Sequence, residues 1–351
     1  MVIRYEMSYR FYTTTEKAWN GMMEAIRMAE RKIYIEMYIF VDDTTPSHDF
    51  IWELKNKLNN WVEVVIVLDV FGSLELSKKT VSELRHLGAE IYFFSDFFRR
   101  THRKILIVDN KIAFLWWVNV KRWSKNRYDL QVRLTWWIVK PLLKSFAYTY
   151  KMCGWKDEYL LSYSNKSFVK KIKWWIIENR WKSNNIYHLN NYYKRKIIEA
   201  KTSITIVTPY LIPPRWMIAL LHMAIHRGVK VEIVIPKDTE IPTLNYINYY
   251  YVDKLFQLWI KFYFMHKMNH AKAMIIDWDE AIVGSQNIDF LSFDFNAEVW
   301  AFFSDKKAIR DLENIVSKRK KESTFFIPTK RRLWLASIIT RIILKLFSPI
   351  L

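Results

Sequence analysis

The sequence predicts an α/β protein built as two related halves, and three features carry that expectation. HRKILIVDNKIAFLWWVNV (102–120) recurs 168 residues later, without a gap, as HAKAMIIDWDEAIVGSQNI (270–288). Helical patterns alternate with short apolar runs along the chain, as they do where helices cover largely buried sheets. Finally, 351 residues of which 51% are hydrophobic are enough for two packed cores.

Each half passes through the same series of elements. A helix carrying AIRMAE or KRKIIEA leads into an apolar strand, IYIEMYIF in AERKIYIEMYIF (29–40) and ITIVTPYLI in AKTSITIVTPYLI (200–212), the two related by a one-residue shift. A second helix, over roughly 48–59 and 215–227, precedes a β-branched strand in NNWVEVVIVLD (59–69) and HRGVKVEIVIP (226–236). A short helix and strand follow, HLGAEIYFF (86–94) matching QLWIKFYFM (257–265), before the motif of the opening comparison. The expected organisation is a first repeat over 1–153, a polar connecting segment over 154–185, a second repeat over 186–328 and a basic amphipathic helix over 329–351.

Composition narrows the partners. A formal charge of +20, from 55 Lys+Arg against 35 Asp+Glu, favours an anionic one: nucleic acid, an acidic membrane surface or a phosphorylated substrate. The single cysteine, Cys153, excludes an internal disulfide and cysteine-based zinc clusters. The N-terminal MVIRYEMSYRFYTTTEK carries charge where a secretion signal has its apolar core, and no uninterrupted apolar run reaches the roughly 18 residues of a spanning helix.

One count is abnormal. The chain has 6 glycines and 17 tryptophans, whereas ordinary usage of about 7% predicts roughly 25 glycines. Between the halves, Trp61 aligns with Gly228, Trp259 with Gly88 and Trp116 with Gly284. The two residue types share neither size nor backbone freedom. The pattern is what results when UGA codons that a bacterial lineage reads as glycine are written as tryptophan. On that reading Trp61, Trp116, Trp117, Trp259, Trp278 and Trp300 are glycine in the natural protein. Trp19 and Trp216 instead sit well on helices. The competing reading is that the aromatics pack a core or touch a membrane interface.

The repeated motif carries chemistry. On a strand, residues i and i+2 share a face, so His102 with Lys104, and His270 with Lys272, point together. Two such strands meeting about a pseudo-twofold axis would gather two imidazoles and two ammonium groups at one spot. Lys104, Lys272, Asn119 and Asn287 supply the charge and donors a phosphate requires, and Ser285 is a further candidate donor. Two histidines suit a divided task, in which one attacks phosphorus and the other protonates the leaving oxygen. Asp129 lies 27 residues after His102, and Glu298 lies 28 after His270. That spacing predicts one buried orienting carboxylate per imidazole. A lone histidine of this kind is usually just packed, but two copies in register reverse that expectation. His222, His226 and His266 form no recognisable ligand set, and no metal is expected.

HRKILIVD with Asn119, and HAKAMIID with GSQN, resemble the paired HxKxxxxD motifs of the phospholipase D superfamily, and the resemblance covers nearly the whole chain. IYIEMYIF, TPYLIPPRWM, VGSQNIDFLSF and the C-terminal RRLWLASIITRIILKLFSPIL are most similar to bacterial cardiolipin synthases. The resemblance implies a pair of α/β/α sandwiches with the active site at their interface. It also implies a phosphohistidine reaction needing no metal or other cofactor. His102 would then be the nucleophile and His270 the general acid and then base, with Asp109 and Asp277 of the motifs supporting local structure. The departures are Trp116–Trp117, where the family has a glycine pair, and Trp278, where it has a glycine after the second motif's aspartate.

The superfamily also contains nucleases, and residues 329–351 weigh against that reading. Leu335, Ile338, Ile339, Ile342, Ile343 and Leu346 recur at helical spacing beside Lys330, Arg331, Arg332, Arg341 and Lys345, the composition of a helix lying on anionic lipid. No nucleic-acid module signature is visible, and basic runs such as KKIK (170–173) and FFRRTHRK (97–104) serve lipid headgroups equally well. The expected function is a peripheral enzyme at the inner leaflet of a bacterial membrane. It would make cardiolipin and glycerol from two phosphatidylglycerol molecules, a single chain sufficing for a complete site. The alternatives are a hydrolase or nuclease of the same fold, or an inactive lipid-binding relative plugged by Trp116 and Trp117.

Overall fold

The computed structural model describes residues 7–96, 100–115, 118–155, 157–164, 173–178, 188–289 and 291–327. Trp116, Trp117 and the amphipathic stretch 329–351 lie outside them. The described residues up to Glu178, together with Asn296–Ala301, form one compact unit; those from His188 to Phe295 and from Phe302 onward form the second.

The first unit contains β1 (Tyr9–Thr14), α1 (Thr15–Arg27), β2 (Lys32–Met37), α2 (Phe50–Asn59), β3 (Glu63–Asp69), α3 (Lys78–His86), β4 (Glu90–Phe94), β5 (Ile105–Val108), β6 (Ile112–Leu115), β7 (Tyr128–Thr135), α4 (Val139–Met152), α5 (Glu158–Ser164) and β8 (Trp174–Glu178). The second contains α6 (His188–Glu199), β9 (Ser203–Val207), α7 (Arg215–His226), β10 (Lys230–Pro236), α8 (Pro242–Phe256), β11 (Lys261–Met265), β12 (Ala273–Ile276), β13 (Glu280–Gly284), α9 (Lys306–Lys321) and β15 (Ser323–Phe325), while β14 (Val299–Phe303) is divided between the units. The first sheet runs β1-β7-β6-β5-β2-β3-β4. Its portion β6-β5-β2-β3-β4 recurs in the second unit as β13-β12-β9-β10-β11, with the same alternation of parallel and antiparallel neighbours. The duplication read from the sequence is therefore a duplication of topology.

Side-chain chemistry explains the local structure. Thr14, Asp49, Ser77 and Asp305 cap α1, α2, α3 and α9 by accepting backbone N–H bonds. The central strands Glu63–Asp69 and Lys230–Pro236 are rich in Val and Ile and almost wholly buried, as strands covered on both faces must be.

Four helices end in the same way. After α3 and α7 the chain turns through Gly88 (φ +97°) and Gly228 (φ +89°), with Ala89 N–H donating to Leu84 O and Val229 N–H to Ala224 O. After α2 and α8 the equivalent positions are Trp61 (φ 63°) and Trp259 (φ 68°), with Val62 N–H donating to Lys57 O and Ile260 N–H to Leu255 O. This is the left-handed terminus at which glycine predominates, because a Cβ there crowds the backbone. The indoles gain nothing in return: Trp61 is 95% exposed and Trp259 84%. Trp278 (φ 60°) follows Asp277 (φ 50°) in the β12–β13 turn, two successive positive φ values of the kind that select Asn-Gly in hairpins. Trp136 (φ 68°), which the sequence comparison did not single out, belongs with them.

Trp300 gives no such signal: it lies on β14, 1% exposed in the core, and is not among the positive-φ residues. Trp19, 0% exposed with its Nε1 donating to Asn119 O, belongs as tryptophan.

A left-handed conformation costs a non-glycine residue roughly 1–2 kcal/mol. Trp61→Gly and Trp259→Gly are each expected to stabilise the protein by about 1 kcal/mol, additively because the sites are independent, as read from chemical-denaturation midpoints. A loss of stability in both variants would contradict the backbone argument.

Candidate active site

In the first half-site the residues His102–Lys104 precede β5 rather than lying within it, and Thr101 forms an isolated parallel bridge with Ala297. Side chains still alternate. Lys104 lies buried on the histidine's side, while the guanidinium of Arg103 is wholly buried elsewhere, donating to Ser145 O (3.2 Å) and Thr149 Oγ1 (2.9 Å) and pairing with Glu178 (3.2 Å). His102 N–H donates to Ala297 O at 3.1 Å, and Ala297 N–H to Arg100 O at 3.0 Å. The stretch 296–301, which belongs in sequence to the second repeat, is thereby built into the first unit.

That stretch delivers the carboxylate. His102 Nδ1 lies 3.1 Å and 3.3 Å from the two oxygens of Glu298, which is 0% exposed. The expectation that each histidine takes a carboxylate from its own repeat is therefore corrected: His102 is oriented by Glu298. Asp129, buried at the start of β7, accepts the backbone N–H of Leu130. The physical reason is connectivity, since spacing along a chain says nothing of which strand a following segment joins. With Nδ1–H donating to a carboxylate, Nε2 carries the lone pair.

Lys104 is 0% exposed and donates to His102 O at 3.0 Å, its Nζ 5.3 Å from the centre of the Tyr38 ring. Burial pulls its ammonium down to about 8, against the opposing pull of Glu298, Asp129 and Asp69. Tyr38 also stands edge-on to His102, ring centres 5.0 Å apart. Burial, with the nearby Asp69 carboxylate, raises its hydroxyl above the usual range and keeps it neutral.

The second half-site repeats the pattern. Lys272, 1% exposed, donates to His270 O at 2.8 Å and lies 3.1 Å from His270 Nε2. Tyr210 stands edge-on to His270 at 6.4 Å. Asn119 and Asn287 are buried, each with an amide Oδ1 that has no hydrogen-bond partner. The oxygen and nitrogen of such an amide are interchangeable assignments, so each can turn an N–H₂ toward a phosphate. Ser285 is fully buried directly after β13.

Asp109 and Asp277 do different work. Asp109 accepts backbone N–H bonds from Glu30, Arg31 and Lys32, and Asp277 those from Lys201, Thr202 and Ser203. Burial pushes the Asp277 carboxyl up, but these donors outweigh it and hold the group below its ordinary range. The motif aspartates thus tie the start of β2 and β9 to the hairpin that follows each motif.

The tyrosines were missed in reading the sequence. Their signal was present, since Tyr38 and Tyr210 both follow the first apolar strand of their repeat, in EMYIF and TPYLI. Of the three histidines considered as a cluster, His222 and His226 contact each other on α7 (3.0 Å), whereas His266 bonds Thr324 Oγ1. Among the described residues no group of three or more His, Cys, Asp or Glu could hold a metal ion.

The profile of the family described as "Cardiolipin synthase, PLD-like domain" matches residues 22–178 and 193–320, both half-sites included. The chain belongs to that family. It is 30% identical to the probable cardiolipin synthase YwiE of Bacillus subtilis (strain 168) over 89% of its own length, and 27% identical to a cardiolipin synthase of Clostridium perfringens over 97%. It spans 66% of the length of the first relative and 76% of the second. Among solved structures, a phosphatidylserine synthase from Haemophilus influenzae Rd KW20 shares the fold, with TM-score 0.77 at 13% identity over 95% of this chain and 93% of that one. A polyphosphate kinase from Porphyromonas gingivalis shares it at TM-score 0.60 and 14% identity, over 90% of this chain and 47% of that one. The fold is the two-domain phospholipase D-like fold.

Lys104 holds its proton below pH about 8 and loses it above, so its contribution to anion binding is present at neutral pH and lost on the alkaline side. Binding of inorganic sulfate, whose own charge is constant in this range, is expected to weaken by roughly tenfold per pH unit above that point, measured by calorimetry. Affinity that stays flat well beyond it would show that Lys104 does not meet the anion.

Proposed function

We propose that the chain transfers a phosphatidyl group from one phosphatidylglycerol to the hydroxyl of another, forming cardiolipin and glycerol at the inner leaflet of a bacterial membrane. The observation that carries this reading is the buried first half-site, an imidazole held by the Glu298 carboxylate beside a desolvated lysine. Membership of the cardiolipin synthase family supports phosphatidylglycerol as the substrate class.

In the proposed reaction His102 Nε2 attacks phosphorus, the bond from phosphorus to the glycerol oxygen breaks, and His270 gives that oxygen a proton. The resulting phosphohistidine is then attacked by the hydroxyl of the second phosphatidylglycerol. His270 takes back the proton, and the bond from phosphorus to His102 breaks. Lys104, Lys272, Asn119 and Asn287, each buried, would neutralise and orient the phosphate. The carboxylate held against His102 Nδ1 supports His102 as nucleophile, since it leaves Nε2 with the lone pair.

Incubation with phosphatidylglycerol vesicles and identification of the products tests this. Cardiolipin and glycerol in equal amounts are expected, with turnover falling by roughly 10³-fold or more in His102→Ala. Phosphatidic acid as the main product would make the chain a hydrolase. Full turnover in His102→Ala would remove the nucleophile assignment.

A further inference from the structure

The loop after β3 presents apolar side chains to solvent from an unusually well-anchored backbone. Phe71 is 46% exposed and Leu74 70%. Single exposed apolar residues are ordinary, but this pair is held in place. The buried Asp69 carboxylate accepts the N–H groups of Phe71 and Gly72 through one oxygen (3.0 Å each) and that of Thr101, the residue before His102, through the other (3.0 Å). Ser73 Oγ donates to Tyr38 O (3.1 Å) and accepts from Phe40 N–H (3.1 Å). Gly72 passes so close to Tyr38 that a Cβ would lie 2.0 Å from its carbonyl oxygen, so the approach requires glycine. The loop is thus bolted to the two segments that position His102.

Cations stand beside it. The Arg100 guanidinium stacks 3.9 Å from the centre of the Phe71 ring, and Lys78 and Lys79 open the following helix as exposed residues, while the loop's one acid, Glu75, is paired by Lys121 at 2.5 Å. Apolar side chains framed by cations are what an anionic bilayer surface receives, the former entering below the headgroups and the latter remaining among them. The geometry points to Phe71 and Leu74 as the residues that seat the first half-site on an anionic membrane, holding His102 at the depth of the lipid phosphates. This rests on the phosphatidyl-transfer reading for its purpose, though not for the docking itself.

The test compares the wild-type protein with Phe71→Ser/Leu74→Ser, changes to exposed side chains that leave the backbone N–H anchor to Asp69 in place. Co-sedimentation with phosphatidylglycerol vesicles is expected to weaken by about tenfold or more, and turnover on vesicles to fall with it. Turnover of short-chain phosphatidylglycerol dissolved as monomers is expected to be unchanged. Unaltered vesicle binding would overturn the proposal, as would a variant whose only change is loss of self-association, which would make the patch a contact between copies. Weakened vesicle binding in a protein that turns over neither form of lipid would uphold the docking loop and sink the transferase reading.

A second inference joins backbone geometry to the glycine shortage and the Trp–Gly alignments of the two halves. We infer that Trp61, Trp136, Trp259 and Trp278 are glycine in the natural protein, encoded by UGA in a lineage that reads that codon as glycine. All four have positive φ, and two of them occupy the helix terminus that Gly88 and Gly228 occupy at the other two helices. Trp19, with its buried and hydrogen-bonded indole, provides the internal control. Codons read from the gene are expected to be UGA at the four positions and UGG at Trp19, and peptides of the natively produced protein to carry glycine at all four. UGG at the four, or tryptophan in those peptides, would overturn the inference.

Discussion

The contact between His102 Nδ1 and Glu298 is the interaction on which the first half-site depends. It joins the motif of one repeat to a carboxylate that lies nearly two hundred residues further along the chain, and it requires the local exchange in which Ala297 pairs with Thr101. A carboxylate with no exposure is costly unless paired, so the contact orients the imidazole and at the same time accounts for the burial of Glu298. Lys104 is held within the same electrostatic environment, since Glu298 is the largest of the influences opposing its desolvation.

Around that contact, work is divided by residue type. The motif aspartates face away from the chemistry and bind backbone N–H groups, so that the hairpin and the first strand of each repeat move together. Asp69 does the same for the segments on either side of the first motif, fixing the 71–72 turn and Thr101 through separate oxygens. Burial raises the Asp69 carboxyl, an effect offset in part by the backbone donors of Gly72 and Thr101 and by Arg100. The histidine therefore sits in a frame of hydrogen-bonded backbone, which limits its motion.

Much of this was legible in the sequence because duplication made it so. Register between HRKILIVD and HAKAMIID located both motifs, and matching apolar runs located the strands that became β2, β3 and β4 beside β9, β10 and β11. The Trp61–Gly228 and Trp259–Gly88 alignments pointed to backbone positions that the structure shows to be left-handed. What the sequence withheld was long-range pairing. Similar spacing suggested Asp129 for His102, but strand partnership is decided by packing of the whole sheet, and Glu298 took the place. Tyr38 and Tyr210 were hidden by their own hydrophobicity, since a tyrosine ending an apolar run reads as core. Trp300, suspected for its type alone, carries no left-handed backbone signal.

The central claim is that His102 is the group that bonds to phosphorus. Its most direct test is an acid-avoiding quench of the enzyme during turnover of radiolabelled phosphatidylglycerol, followed by peptide mapping of the protein-bound label. Label that is stable to base, released by mild acid and carried on the peptide containing His102 is the predicted result. Label on the His270 peptide, or turnover with no covalent label in either, would contradict the account.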